Sequence, residues 1–247
     1  MKKLYCEQTI TDTSNISNIA LALSSNLKNY KSVKLTGNSL LNTKKDFYKE
    51  IAETLGRLAP MEEDLTSGNK NGEIWTEIKY DPEVCNSFRH SNTHQPLHTD
   101  GSYESNAPEI TFFFCKNPAE IGGATIFIDS IKLGNILKNF SPNLFSRLTK
   151  NNVVFQKGND KKECPILRVE NGEILVCWNY YRAVECADLN LFDDFKTFLD
   201  TYIFQAGICK SVNLAKGEAI FFHDNLLLHG RNSFLGNRHL IKGGIWL

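Results

Sequence analysis

Pro96-Leu97-His98-Thr99-Asp100-Gly101 sets an imidazole and a carboxylate two positions apart on an extended segment that runs into an Asp-Gly turn. Side chains alternate along a strand with period two, so His98 and Asp100 point to one side and can bind one metal ion. A surface histidine beside a turn has the same signature. A second stretch, Phe222-His223-Asp224-Asn225-Leu226-Leu227-Leu228-His229-Gly230-Arg231, shifts the balance. His229 closes an apolar run and precedes a glycine, the setting of a strand end whose backbone can open toward a ligand.

Two histidines and one carboxylate fill half of a coordination shell. That is the facial set of non-heme Fe(II) oxygenases, where the open positions receive a cosubstrate and O2. A structural zinc site would close its shell with a fourth protein ligand, usually with cysteines. A third feature pairs Gly122-Gly123-Ala124-Thr125, at the start of a strand, with Arg238 downstream of His229. Arginine grips a carboxylate through two parallel hydrogen bonds, and a threonine hydroxyl can add a third. Together they suit the far carboxylate of a dicarboxylate whose other end chelates iron. Taken singly, Gly-Gly is a turn and a lone arginine is a solvated charge.

The rest of the chain sets the frame. With 247 residues, one domain is expected over 1–247, and 28 Lys+Arg against 28 Asp+Glu argue against nucleic acid or an anionic membrane as the main partner. No apolar run approaches the roughly 20 residues of a membrane span. Glu7, Thr9 and Thr11 interrupt any apolar stretch behind Met1-Lys2-Lys3, so no export signal is read there. The seven cysteines (Cys6, Cys85, Cys115, Cys164, Cys177, Cys186, Cys209) are odd in number and scattered, which fits free thiols in a reducing, cytoplasmic setting.

Helical spacing is found over 13–28, 43–57, 129–149 and 190–205, with a helical N-terminal part over about 1–72. From residue 73 short β-type runs dominate: Ile74–Tyr80, Ile110–Lys116, Thr125–Ile128, Val153–Gln156, Ile166–Val169, Ile174–Trp178, Ser211–Leu214, Glu218–His223, Leu226–His229 and His239–Trp246. Glu170-Asn171-Gly172 marks a tight hairpin. The order is not regular βαβ alternation. It predicts a mainly β sandwich or barrel with flanking helices.

Leu97-His98-Thr99-Asp100, Gly122-Gly123-Ala124-Thr125 and His229-Gly230-Arg231 with Arg238 resemble the iron(II)- and 2-oxoglutarate-dependent oxygenases of the taurine dioxygenase/TfdA superfamily. The run from His229 to Leu240 is similar to the γ-butyrobetaine and trimethyllysine hydroxylase branch, and the size is similar to small BesD-related amino-acid hydroxylases. The resemblance spans about 73–247. It implies a double-stranded β-helix (jelly-roll) core, iron held by His98, Asp100 and His229, and 2-oxoglutarate held by Thr125 and Arg238. It implies hydroxylation of an unactivated C–H bond, coupled through O2 to decarboxylation of 2-oxoglutarate to succinate. Related halogenases replace the metal carboxylate with glycine to admit chloride, so Asp100 argues against halogenation. The zinc domain of γ-butyrobetaine hydroxylase has no counterpart in this chain, and Lys242 and Gly244 depart from that branch.

Alternation from Arg238 carries Leu240, Lys242, Gly244 and Trp246 to one face. Lys242 matches the taurine dioxygenase position that binds the substrate's sulfonate. A buried ammonium needs a counterion, so an anionic substrate group is expected there. His94, Glu77 and Trp246 are further substrate-pocket candidates, Glu77 as an amine acceptor. The expected substrate is a free amino acid or similar zwitterion. The alternatives are an alkylsulfonate or carnitine precursor, or a silent jelly-roll binding protein.

Overall fold

Apolar residues cover both faces of the strand Ile110–Asn117, and that double burial organises the molecule. In the computed structural model, which describes residues 2–84 and 87–247, Ile110, Phe112 and Phe114 face the helices Ile16–Asn29 and Lys45–Leu55. Phe113 and Cys115 face the opposite way, into a second sheet. Phe112 stacks on Phe221 of the neighbouring strand with ring centroids 4.6 Å apart. Each such buried ring is worth roughly 1.5–3 kcal/mol relative to exposure.

The larger sheet runs in the order Lys3–Thr9, Tyr30–Thr36, Ala219–His223, Ile110–Asn117, His239–Trp246, Arg57–Ala59, and Thr76–Lys79 also pairs with His239–Trp246. The smaller sheet runs Lys210–Val212, Thr125–Asp129, Leu227–Arg231, Gln95–His98. Phe113, Phe127, Phe222 and Leu240 fill the space between them. Ile126, Ile128 and Leu228 bury the smaller sheet's outer face against the helices Ser130–Phe140, Pro142–Lys150 and Leu191–Phe198. The result is the mainly β jelly-roll core with flanking helices that the sequence implies. Among the described residues no helix is long and apolar enough to cross a membrane.

Several elements differ from the sequence expectations. The helix expected over 129–149 is two helices, because Ser141 leaves helical geometry (φ −148°, ψ 60°) and Pro142 starts the next one. Proline lacks the N–H that a continuing helix requires, yet suits a first turn. Within the first 72 residues Val33-Lys34-Leu35, strand-like in the sequence, lies in the strand Tyr30–Thr36, and the unexpected strand Lys3–Thr9 runs parallel to it, with Ile16–Asn29 as the crossover. The strand Lys3–Thr9 alternates only between exposed and half-buried, so it carries no apolar period. Asp160–Pro165 and Ala183–Cys186 are mostly exposed strands that escape detection for the same reason. The hairpin turn is as expected, with Asn171 at φ 51° and Gly172 at φ 79°. Cys85 lies outside the described residues.

Candidate active site

Register brings the two histidines together. In the antiparallel pairing of Gln95–His98 with Leu227–Arg231, His229 stands directly opposite His98, and their ring centroids are 4.3 Å apart. A bulge follows between His229 and Arg231. Gly230 permits it, since a Cβ there would lie 2.6 Å from the Gln95 carbonyl oxygen. The chain turns after His98 while keeping its alternation. Leu97 enters the core beneath the smaller sheet, the Thr99 N–H donates to the Trp178 carbonyl at 2.6 Å, and Asp100 returns to the side of His98.

One ligand atom from each of His98, Asp100 and His229 lies within 4.8 Å of the others. The His98 Nδ1–H donates to the Pro96 carbonyl at 2.8 Å, which leaves Nε2 as an acceptor, 3.2 Å from the Gln95 amide nitrogen and 3.8 Å from Asp100 Oδ1. His229 Nε2 faces Asp100 Oδ2 at 3.5 Å, and that carboxylate oxygen is buried without a hydrogen-bond partner. A buried, unpartnered carboxylate oxygen between two imidazole nitrogens is a costly arrangement that a divalent cation satisfies. The donor set fits Fe(II).

The surrounding charges prepare these ligands. Burial, then the neighbouring His98, push His229 down to about 3, so at neutral pH it is the neutral ring that a metal requires. Burial alone would raise the Asp100 carboxyl. The Lys242 ammonium, 2.9 Å from Oδ1, and the His229 ring instead hold it well below the usual range. Asp224 holds the backbone at Asp100 and lies beside His229. Its carboxylate accepts the Asp100 N–H at 2.9 Å and the Gly101 N–H at 3.3 Å, and Oδ1 faces His229 Nδ1 at 3.5 Å. Burial and the nearby Asp100 charge push Asp224 up to about 7.

These ligands open into a cavity of about 700 Å³ whose wall includes Phe113 and Lys242. A smaller cavity of about 240 Å³ is lined by Thr125, Arg238, Cys115 and Leu240. Leu240 pairs with Cys115 and Lys242 with Phe113, so the two cavities lie one two-residue step apart on the same strands, roughly 7 Å. Arg238 is buried, and among the described residues its guanidinium has no hydrogen bond or ion pair. Burial pushes it down to about 9. Arg231, by contrast, is spent on the Phe88, Ser91 and Thr93 carbonyls.

Three expected pocket residues lie elsewhere. Thr76 and Ile78 line the larger cavity, so Glu77 between them points outward, where it meets Lys45 and His239, each at 3.2 Å. Gln95 faces the cavity, whereas His94 packs its ring 4.2 Å from Phe204. Met61 and Pro108 crowd Gly244, and beyond them the strand twist carries Trp246 past the cavity. Its indole N–H donates to the Asn106 carbonyl at 3.1 Å, and Arg57 lies 4.2 Å from the ring centroid.

The family model described as "Taurine catabolism dioxygenase TauD, TfdA family" matches residues 21–243. The chain belongs to this family. It is 25% identical over 176 residues to a trimethyllysine dioxygenase of Meyerozyma guilliermondii, a match covering 63% of this chain and 43% of that protein. The chain thus spans under half the length of that curated relative. Two solved structures share the TauD-like fold. An asparagine oxygenase in complex with Fe(II), 2S,3S-3-hydroxyasparagine and succinate has a TM-score of 0.73 at 13% identity, covering 97% of this chain and 93% of that one. The PvcB protein of Pseudomonas aeruginosa has a TM-score of 0.70 at 15% identity, covering 99% and 87%.

In this TauD-family chain the larger cavity also holds polar residues that no sequence pattern singles out. Glu63, Tyr103, Lys157 and Arg182 come from separate turns and strand ends and meet only in the folded molecule. Asp224, behind Asp100 and outside the cavity wall, is a further residue of this kind. Its Asp-Asn dipeptide signals a turn, and only the backbone contacts reveal its grip on Asp100.

Proposed function

We propose that this chain is an iron(II)- and 2-oxoglutarate-dependent dioxygenase that hydroxylates an unactivated C–H bond of a small zwitterion of amino-acid type. One observation carries this reading: the His98–Asp100–His229 set, with an unpartnered buried oxygen on Asp100, opens into a cavity one strand step from a second cavity that holds a buried arginine without a counterion. A dicarboxylate that chelates the metal and reaches Arg238 answers both needs. When bound, iron and 2-oxoglutarate supply the oxidising chemistry, with O2 consumed and succinate and CO2 formed.

The chain's own residues bind and orient. His98, Asp100 and His229 would hold the metal, and Thr125 and Arg238 the distal carboxylate of 2-oxoglutarate. Phe113 walls the ligands on the core side and limits water there. Lys242 neutralises Asp100 from the wall of the larger cavity. The amino-acid substrates in the names of the trimethyllysine dioxygenase and the asparagine oxygenase support the substrate class. Free cysteines among the described residues support a reducing, cytoplasmic setting.

The test is bound-iron analysis together with succinate release from 2-oxoglutarate under air, with an amino-acid panel followed by mass spectrometry. Iron-dependent succinate, lost with iron binding in Asp100→Ala, is expected. Wild-type protein that neither binds iron nor releases succinate would end the reading.

A further inference from the structure

The wall of the larger cavity carries charges of alternating sign that begin at the metal carboxylate. Asp100 pairs with Lys242, and Lys242 and Glu63 each stabilise the other's charged form. Glu63 in turn pairs with Lys157 and accepts a hydrogen bond from the Tyr103 hydroxyl. Arg182 lines the same cavity, and among the described residues its guanidinium has neither ion pair nor hydrogen bond. The turn that carries Glu63 is preformed, with the Asp64 carboxylate accepting the Thr66 and Ser67 N–H groups.

Such a cluster could be a plain staple between the 60–70 turn and the strand Asn152–Lys157. Its unused bonding capacity argues for more. A carboxylate offers about four acceptor positions, of which Tyr103 and Lys157 take two. An ammonium offers three donors, and the Lys157 ammonium spends one on Glu63. The Tyr103 hydroxyl donates to Glu63, so its oxygen lone pairs remain free to accept. A zwitterion entering this cavity loses water from both of its charges, and each then needs an opposite partner. Glu63 with Tyr103 offers acceptors for N–H, and Lys157 with Arg182 offers donors for a carboxylate.

We propose that Glu63 and Tyr103 bind the primary ammonium of the substrate, and that Lys157 and Arg182 bind its carboxylate. This subsite rests on the dioxygenase reading above and deepens it. It commits the enzyme to free amines, because a quaternary nitrogen has no N–H, and an acylated one keeps a single uncharged N–H where Glu63 and Tyr103 call for a charged group with several. A trimethylated ammonium would ask instead for a cage of aromatic faces.

The experiment is calorimetry without oxygen on protein loaded with Fe(II) and 2-oxoglutarate. The probes are the twenty proteinogenic L-amino acids, their N-acetyl and methyl-ester derivatives, taurine and trimethyllysine. The best free amino acid should lose about 10- to 150-fold in affinity on N-acetylation and again on esterification, the worth of hydrogen bonds to charged groups. In Glu63→Gln the preference for the free amine over its N-acetyl form should collapse. In Lys157→Met the preference for the acid over its ester should collapse. Each preference is a ratio within one protein, so a general loss of folded material does not imitate the result. Equal binding of free and acetylated amines, a preference that survives in Glu63→Gln, or no binding of any probe would overturn the subsite. Succinate release is followed separately under air. Its absence strikes the dioxygenase reading, whereas its presence beside indifferent calorimetry strikes the subsite alone.

Discussion

Replacing Asp224 with asparagine keeps the shape of the side chain and removes the carboxyl group that lies behind Asp100 and His229. The carboxylate accepts the Asp100 N–H at 2.9 Å and the Gly101 N–H at 3.3 Å, and stands 3.5 Å from His229 Nδ1. An asparagine has one oxygen for the two backbone N–H groups and the neighbouring imidazole. Its amide N–H must face either the backbone N–H groups or the N–H of the imidazole, donor against donor. Carboxylates placed behind ligating histidines are typically worth 10- to 100-fold in metal affinity, or about 1.4–2.8 kcal/mol. Asp224→Asn should therefore bind Fe(II) or Mn(II) 10- to 100-fold more weakly in an anaerobic titration. The melting temperature of the metal-free variant, measured in parallel, separates this effect from general destabilisation. Unchanged metal affinity in a folded Asp224→Asn protein would refute the supporting role.

Arg238→Ala should weaken 2-oxoglutarate binding roughly 10- to 150-fold in calorimetry, while the metal-free protein should melt no lower, because a buried cation without a partner is lost. Gly123→Ala should act in the same direction: at φ +71° a side chain is strained, and its Cβ would lie 3.0 Å from Arg238 Cδ. The readout is 2-oxoglutarate affinity with iron content unchanged. Burial, with help from the Lys2 and Lys31 ammoniums, holds His223 down at about 4, against an ordinary imidazole value of 6.5. Between these values the unfolded chain binds a proton that the folded chain refuses, so stability falls as pH drops from 6.5 to about 4 and is then flat for this group. The melting temperature of His223→Gln should depend less on pH across that window than the parent's.

Strand alternation and chain order made the His98–Asp100–His229 set and the Thr125–Arg238 pair legible. Both depend on local spacing plus one long-range pairing. Lys242 was legible as an inward cation by the same alternation, but its bond to Asp100 was not, since that partner comes from the turn after a strand of the other sheet. Glu77 shows the limit of the method. Alternation correctly separates Trp75, Glu77 and Lys79 from Thr76 and Ile78, yet only packing decides which set faces the cavity. Glu63 and Lys157 carry no local signal, because their meaning arises from a contact between a turn and a distant strand end. The strand Lys3–Thr9 was hidden for a different reason: an edge strand that buries no full face has no apolar rhythm to detect.

The register that sets His98 opposite His229 also dictates when a metal can arrive. The two side chains are far apart in the chain and face one another only after strands from distant segments have paired. Non-local pairing of this kind forms slowly, after the entropy of closing a long loop has been overcome. The His98 ring is oriented by its own Pro96 carbonyl, and the fold around it is held by two sheets packed through phenylalanine. A metal taken up by this set would thus be the last component in, captured by a finished scaffold, unlike the small zinc modules that fold around their ion. A chelator should strip this protein without unfolding it, and the same molecule should reload from solution without passing through the denatured state.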